Sequence, residues 1–260
     1  MTKNRPTILI TNDDGITAPG IRKLIDIMHR IGDVTVVAPD KPQSGMSHAV
    51  TVAFPLMLHQ IQNENRHLEF SCTGTSVDCV KMGIKVVLGR KPDLVVSGIN
   101  HGNNASVNVL YSGTMAAAMD AAMENIPAIG FSLDNYSLNA NFDGFEKHIE
   151  TITRNVLKNG LPPYTCLNVN IPYVKPSEIK GVKIVRQGKG NWIENFDRRI
   201  DPHKRDYYWL AGHFVGSDNN EDTDTWALNN NYIAVVPIHI DLTAHHAIDK
   251  LAEWDFSHES

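Results

Sequence analysis

Paired cysteines, long apolar runs and an excess of basic residues are all missing from this 260-residue sequence. The three cysteines, Cys72, Cys79 and Cys166, have no CxxC spacing, which argues against a disulfide framework and a thiolate zinc site, so we expect buried thiols. No run of about 20 apolar residues is present, which excludes a transmembrane helix. The N-terminus has no apolar stretch of the signal-peptide type, so we expect a cytoplasmic protein.

Several common classes of ligand site are also missing. The net charge of −5 provides no basic surface for a nucleic-acid polymer. Neither the dinucleotide fingerprint GxGxxG nor the phosphate loop GxxxxGK[ST] occurs, and the nucleophile elbow GxSxG is absent too. A small anionic substrate would therefore need a metal ion or local hydrogen-bond donors.

The first 170 or so residues alternate between short β-branched runs and amphipathic segments, which is typical of βαβ units. The runs are nearly all apolar, as parallel strands covered on both faces are. The predicted strands are Thr7–Thr11, Val34–Ala38, Leu94–Ser97, Ala128–Ser132 and Leu167–Ile171. The predicted helices are Ile21–Ile31, Val77–Leu88, Thr114–Glu124 and Phe145–Leu157. The sequence therefore predicts an α/β fold with a doubly wound, mostly parallel sheet.

The C-terminal third has a different pattern. Val182–Arg186 and Asp206–Ala211 are predicted strands on either side of a polar stretch, which indicates a protruding β-hairpin arm. The arm packs either on a second subunit or on its own domain, and the sequence leaves both open. Tyr232–Pro237 is predicted as a strand and Ala244–Trp254 as a terminal helix. We predict a single domain over residues 1–260, with a core at 1–175, the arm at 176–215 and a C-terminal segment at 216–260 that packs on the core or on a partner subunit.

Two adjacent carboxylates, Asp13 and Asp14, follow the first predicted strand in a tight turn. Ligands of open parallel sheets bind at the carboxyl ends of the strands. Hard oxygen ligands at such a turn suit Mg²⁺ or Mn²⁺, and a cation would relieve the repulsion between the carboxylates. The alternative interpretation is a helix cap or a simple Asp-Gly turn.

The segment around residues 97–114 is typical of a phosphate cradle. A buried strand leads into a loop rich in Asn, with Asn100, Asn103 and Asn104, and then Ser112-Gly113-Thr114 opens an alanine-rich helix. Backbone amides at a helix N-terminus bind tetrahedral anions, and small residues allow close approach. Helix capping alone would explain Ser112 but not the asparagines. The Ser- and Pro-rich loop after the second strand could add a hydroxyl ligand, although such loops are common in exposed turns.

Taken together, several motifs resemble the SurE family of survival-protein nucleotidases. They are ITNDDGITAPG, VVAPDKPQSGMS, GTSVDCV, VVSGINHGNN, LYSGTMAAA, TDTWA and VPIHIDLT. The resemblance implies a Rossmann-like core with a protruding hairpin, and exchanged C-terminal segments in a homodimer or homotetramer. It also implies metal-dependent hydrolysis of nucleoside 5′- and 3′-monophosphates, and sometimes of short polyphosphate.

The resemblance also assigns residues by their motif positions. Asp13, Asp14, Ser44 and Asn100 correspond to ligands of one Mg²⁺ or Mn²⁺ per subunit, with the two aspartates at the catalytic centre. The phosphate or substrate would be held by Asn12, Asn104, Ser112, Gly113 and Thr114. One departure from the family pattern is Ser106, where many members have glycine.

The chemistry itself has open alternatives. Either a water activated by the metal attacks phosphorus, or Asp13 or Asp14 attacks it and forms an aspartyl-phosphate. His48 and His101 lie beside proposed ligands and are candidate proton donors to the leaving group. The rival functions are a nucleotide sensor without catalysis and a nucleoside hydrolase. We expect a small nucleotide as the partner, and neither a nucleic-acid polymer nor a membrane.

Overall fold

The computed structural model describes residues 5–64, 66–137 and 139–256, so the two ends of the predicted domain, 1–4 and 257–260, lie outside the described residues. The described residues form a nine-stranded sheet of order β3-β4-β2-β1-β5-β6-β7-β11-β8 and a separate hairpin, β9-β10. The strands are β1 Thr7–Thr11, β2 Asp33–Pro39, β3 Leu58–Glu64, β4 His67–Cys72, β5 Leu94–His101, β6 Ala128–Leu133, β7 Thr165–Ile171, β8 Gly181–Ile184, β9 Gly190–Ile200, β10 Asp206–Gly216 and β11 Tyr232–His239. The helices are α1 Pro19–His29, α2 Ser76–Met82, α3 Gly113–Met123, α4 Glu146–Asn159, α5 Asp224–Asn229 and α6 Ile248–Ala252.

The centre of the sheet is parallel and covered on both faces. β1 pairs in parallel with β2 on one side and with β5 on the other. Side chains alternate along a strand, so Ile8 and Ile10 of β1 pack into one apolar cluster and Leu9 into another. This double coverage explains why β1, β2, β5 and β6 are apolar almost throughout. The predicted α/β class with a mostly parallel sheet is confirmed.

Helices cover both faces of the sheet. α1 and α4 contribute buried Leu24, Met28 and Ile149 to the first cluster, whereas α2 and α3 contribute Val80 and Met115 to the second. α3 consists largely of buried alanines, which lets its backbone lie close to the strands. The predicted helices are therefore confirmed, although α2 ends at Met82 and continues as a π-helical turn over Gly83–Val87.

A hairpin arm is confirmed, and the predicted strand Asp206–Ala211 lies within β10, but the pairing predicted for it is wrong. Val182–Arg186 falls mainly in β8, which joins the large sheet in parallel with β11, and the strand that pairs with β10 is β9. Val185 is buried against Ala227 and Ala234, so this segment belongs to the core. β9 has no buried side chain, which is why it carries no apolar pattern that would identify it as a strand.

The C-terminal segment is also less regular than predicted. In place of a helix over Ala244–Trp254, a 3₁₀ turn at His245–Ala247 leads into the short α6, and neither contains a buried residue.

The three cysteines are buried free thiols, as predicted. Within the described ranges, no helix is both long and apolar enough to cross a bilayer.

Candidate functional site

A cavity of about 510 Å³ lies between the carboxyl edge of the sheet and the hairpin. Its size is within the usual range of small-molecule sites. The loops after β1, β2 and β5, the start of α3 and both strands of the hairpin contribute to its wall. The lining residues are Asp13, Ser44, Gly45, Asn100, His101, Asn103, Asn104, Asn108, Tyr111, Ser112, Tyr136, Trp192, Glu194, Leu210, Ala211 and Gly212.

Asp13 is the most deeply buried carboxylate of this wall, with 4% of its surface exposed. Its Oδ1 accepts a hydrogen bond from Thr114 Oγ1 at 2.6 Å. Burial and the adjacent charge of Asp14 raise the pKa of Asp13 from 3.8 to about 6. The charge of this carboxylate is therefore poorly solvated, and carboxylates with a pKa perturbed in this way are typical of functional sites.

Asp14 lies on the other side of the same turn and is partly exposed. Its Oδ2 accepts a hydrogen bond from the backbone N–H of His101 at 3.1 Å, so β1 and β5 are joined at their carboxyl ends. Burial raises the pKa of Asp14 as well. Neither aspartate caps a helix, because α1 begins beyond the turn, with Ala18 as its N-cap. The capping interpretation of this pair is thus excluded.

The N-terminus of α3 lies directly against Asp13. A Cβ added to Gly113 would lie 2.7 Å from the Cβ of Asp13, so only glycine permits this approach. Ser112 caps the helix through its Oγ, which accepts a hydrogen bond from Met115 N at 3.0 Å. Ser76 Oγ donates to the carbonyl of Gly113 at 2.7 Å and fixes the turn from the side of α2. The positive end of the helix dipole is thereby directed at the cavity.

A chain of buried amides fixes the asparagine loop. The backbone N–H of Asn104 donates to Asn170 Oδ1 at 2.7 Å, and Asn168 Nδ2 donates to the carbonyl of Asn104 at 2.8 Å. Asn104 Nδ2 in turn donates to Ser132 Oγ at 2.8 Å. The roles of Asn168 and Asn170 in β7 could not be predicted, since polar residues on a strand normally face solvent. Buried amides that are satisfied in this way hold a single loop conformation.

Ser106 occupies a position that favours glycine. Its φ is +54°, a left-handed conformation that most residues avoid. The serine compensates through its side chain, because Oγ donates to the carbonyl of Gly188 at 2.9 Å. Its backbone N–H donates to Asp224 Oδ2 at 2.8 Å. The departure from the family pattern therefore has a physical basis in this structure.

The structure brings together most, but not all, of the predicted site residues. Asp13, Ser44, Asn100, Asn104, Ser112 and His101 line one cavity, and Gly113, Thr114 and Asp14 contact members of that set. Asn12 is fully buried, and its Nδ2 donates to the carbonyl of Gly15 within its own turn. His48 lines a neighbouring, more apolar cavity of about 730 Å³ and not the one that contains Asp13. The His101 ring bonds the carbonyl of Ser137 through Nε2.

The residues that the sequence missed come mainly from distant segments. Asn108, Tyr136, Glu194 and Leu210–Gly212 complete the wall. The hairpin members follow Asp13 by about 180 residues or more, and nothing in a local pattern places them near it.

The donor set fits a hard divalent cation. Two carboxylates, an amide and a hydroxyl are oxygen donors of the type that Mg²⁺ and Mn²⁺ prefer. No lysine or arginine stands among the described residues that line the cavity, so these carboxylates have no basic partner there. Within the described part of the chain, no group of three or more His, Cys, Asp or Glu is placed to hold a metal ion. A cation at this edge would therefore need the neutral donors Ser44 and Asn100 as well as the aspartates.

The fold and this cavity define a doubly wound α/β protein with a buried acidic site at the carboxyl edge of its sheet. A sequence model of the family described as survival protein SurE matches residues 8–194. The 5′-nucleotidase SurE of Christiangramia forsetii is 57% identical to the chain over 99% of it and 100% of the relative. For the 5′-nucleotidase SurE of Bacteroides fragilis the identity is 43%, over 98% of this chain and all of the relative.

A solved structure agrees with these relatives. The crystal structure of the SurE protein from Aquifex aeolicus superposes with a TM-score of 0.81 at 40% identity, covering 95% of this chain and 98% of that one. The chain belongs to the SurE survival protein family.

Proposed function

We propose that this protein is a metal-dependent phosphatase that hydrolyses nucleoside 5′-monophosphates to nucleoside and phosphate. The observation that carries the proposal is the buried carboxylate of Asp13, beside the half-buried Asp14 and the N-terminus of α3, at a cavity of about 510 Å³. Relatives that match the chain over nearly its whole length are named 5′-nucleotidases. The 3′-monophosphates and short polyphosphate are further candidate substrates, because they present the same terminal phosphoryl group.

The aspartates would hold one Mg²⁺ or Mn²⁺ per subunit, together with Ser44 and Asn100. Bound there, the cation would supply charge neutralisation on the phosphoryl oxygens and activation of the nucleophile. Thr114 Oγ1 donates to Asp13 Oδ1 and orients that carboxylate. Asn100 Nδ2 donates to the carbonyl of Gly102 at 2.8 Å, which fixes the side-chain amide. The ligand set is thus oriented by hydrogen bonds before a metal binds.

The phosphoryl group would lie against the N-terminus of α3. Partial positive charge at a helix N-terminus favours phosphate oxygens, and Gly113 keeps the backbone accessible. Asn104 lines the same cavity and is fixed by the amides of β7. His101 is the better placed of the two candidate proton donors, because it lines this cavity and His48 does not. The choice between water and aspartate as the nucleophile stays open.

The test is phosphate release from a panel of nucleoside monophosphates with EDTA, Mg²⁺ or Mn²⁺. We expect release only with a metal, and a loss of at least about a thousandfold in Asp13→Asn, since the negative charge that holds the cation is removed. Asp26→Asn is the matched control, because Asp26 is exposed on α1. Circular dichroism verifies that both variants fold.

Other products would overturn the proposal. Nucleotide binding without phosphate release under any metal would indicate a sensor, and release of free base would indicate a nucleoside hydrolase. Equal activity of Asp13→Asn and the wild type would show that Asp13 is not needed for catalysis. A phosphoenzyme trapped on Asp13 or Asp14 during a single turnover would assign the nucleophile to an aspartate.

We further propose that the hairpin and the C-terminal segment make subunit contacts in a homodimer or homotetramer. The support is apolar exposure, since Phe196, Leu242, Trp254 and Phe256 are between 57% and 79% exposed. Exposed apolar surface of this kind is typical of interfaces. Light scattering of the intact chain would give the mass, and a monomer would contradict the proposal. The cytoplasmic location stays a prediction.

A further inference from the structure

The wall of the cavity formed by the hairpin is chemically unlike the wall formed by the sheet. The sheet edge contributes the Asp13 carboxylate, amides and a helix N-terminus, whereas the hairpin contributes Trp192, Glu194 and Leu210–Gly212. Trp192 is paired with Phe214 across the two strands, and Glu194 with Gly212, so these residues share one face of the hairpin. The cavity thus has an anion-binding end and an aromatic, partly apolar wall.

Trp192 is held firmly although it is 38% exposed. Its indole Nε1 donates to Asn108 Oδ1 at 2.8 Å, and its ring meets Phe214 edge-on with the centroids 6.2 Å apart. Asn108 Nδ2 donates in turn to Asn103 Oδ1 at 3.3 Å. The ring is therefore oriented through the same asparagine loop that lines the anion-binding end.

The base of the hairpin is anchored to that loop too. Asp224 is fully buried and accepts hydrogen bonds from the backbone N–H groups of Ser106 and Gly188, both at 2.8 Å. Ser106 Oγ donates to the carbonyl of Gly188, two residues before β9. Ser106 and Asn108 lie in one 3₁₀ turn, Ser106–Leu110, so a single turn holds the hairpin at two points. Trp192 is thereby placed relative to the anion-binding end by short, direct contacts.

We propose that Trp192 and Tyr136 bind the nucleoside part of the substrate, with Trp192 stacking on the base and Asn108 acting as its positioning residue. The proposal rests on the proposed function, since it assigns the non-phosphate part of the same substrate. Every nucleobase has an aromatic face that stacks on an indole, so the subsite selects nucleotides over other phosphomonoesters with little preference among bases. The aromatic wall is contributed by the hairpin and by the loop after β6, not by the residues that hold the metal.

The test compares a nucleoside 5′-monophosphate with ribose 5-phosphate, which has the same phosphoryl ester but no base. For Trp192→Ala we expect KM for the nucleotide to rise roughly 5- to 100-fold, while kcat/KM for ribose 5-phosphate stays within about twofold of wild type. Trp209→Ala is the matched control, because Trp209 lies on the same hairpin, is 62% exposed and does not line the cavity. Light scattering verifies that both variants keep the wild-type mass.

A double-mutant cycle tests the role of Asn108. Trp192→Phe and Asn108→Ala remove the same hydrogen bond from opposite sides, so each should raise KM for the nucleotide about fivefold. The double variant should be no worse than either single one, because the two changes are not independent. Additive effects would contradict the positioning role.

The possible outcomes separate this proposal from the proposed function. If the wild type releases phosphate from no substrate, the proposed function fails. If the wild type is active and Trp192→Ala has unchanged kinetics, or loses the same factor in kcat/KM on both substrates, the stacking proposal fails and the proposed function stands. If ribose 5-phosphate is too poor a substrate to measure, calorimetry with the nucleotide and with inorganic phosphate replaces it. Only the dissociation constant of the nucleotide should then rise in Trp192→Ala, and a parallel rise for inorganic phosphate would overturn the proposal.

Discussion

Replacing Asp13 with asparagine should make the metal-free protein more stable at alkaline pH while it abolishes activity. The pKa of Asp13 rises from 3.8 to about 6 in the folded protein, mainly through burial and secondarily through Asp14. That shift corresponds to a cost of about 3 kcal/mol in the free energy of unfolding once the group is ionised. Asparagine is close in shape, carries no charge and keeps an oxygen that can accept from Thr114 Oγ1.

The sign of the pH dependence follows from the direction of the shift. The folded state binds the Asp13 proton more tightly than the unfolded state does. The stability that this proton contributes is therefore fully present below about pH 4 and is lost as the pH rises through the folded-state pKa of about 6. In EDTA, the free energy of unfolding of Asp13→Asn should therefore exceed that of the wild type by up to about 3 kcal/mol at pH 8. Near pH 4 the two values should be equal. The raised pKa of Asp14 acts in the same direction.

Urea unfolding at pH 4, 6 and 8, at one protein concentration, measures this difference. Adding Mn²⁺ at pH 8 should raise the melting temperature of the wild type and leave Asp13→Asn unchanged, because binding to the folded state stabilises it. Asp26→Asn serves as the control with an exposed carboxylate. A destabilised Asp13→Asn at pH 8, or a difference from wild type that does not vary with pH, would refute the reasoning.

The remaining predictions concern three other positions. Ser106→Ala keeps the strained φ of +54° but loses the bond to Gly188, so the midpoint of urea unfolding should drop by the equivalent of about 1 kcal/mol. Ser106→Gly loses the same bond but relieves the strain, so its free energy of unfolding should lie within about 0.5 kcal/mol of the wild-type value. A larger loss of stability than in the alanine variant would contradict this account. Asp78→Ala removes the capping box with Thr75, so thermal unfolding should show that the protein has lost about 2 kcal/mol of stability. An unchanged melting temperature would contradict this prediction. His48→Ala should keep kcat within about twofold in steady-state assays, because His48 lines the neighbouring cavity; a loss of about a hundredfold or more would restore it as the proton donor.

The buried half of the fold could be predicted because its pattern is strong. β1 is predicted to the residue, since a strand covered on both faces is apolar throughout and the polar turn after it is abrupt. β9 could not be predicted, because Trp192, Ile193 and Phe196 lie among polar and charged residues and both faces of the strand are exposed. A strand without a buried face has no periodicity that distinguishes it from a polar loop. Its pairing depends on contacts with the rest of the protein.

The same distinction applies to the candidate site. Asp13 and Asn100 could be predicted to meet because both follow parallel strands, which end at the same edge of the sheet. His48 could not be assigned, because four residues of loop after Ser44 are enough to bring its side chain to another cavity. Ser106 stood out as an unusual residue, but only its φ and its bond to Gly188 explain it.

The two walls of the cavity have different physical origins, and this division bears on how the protein can vary. Gly113 and Asn104 are buried parts of the sheet edge, so a larger side chain at Gly113 creates a clash and an apolar one at Asn104 leaves polar groups unsatisfied, while Asp13 tolerates a neutral side chain of the same shape only with loss of the metal. Trp192 lies on an exposed hairpin that the turn at Ser106–Leu110 holds by a few hydrogen bonds. Changes on the hairpin should therefore alter KM and the choice of substrate with little effect on folding. Changes at the sheet edge should instead abolish phosphate release for every substrate alike.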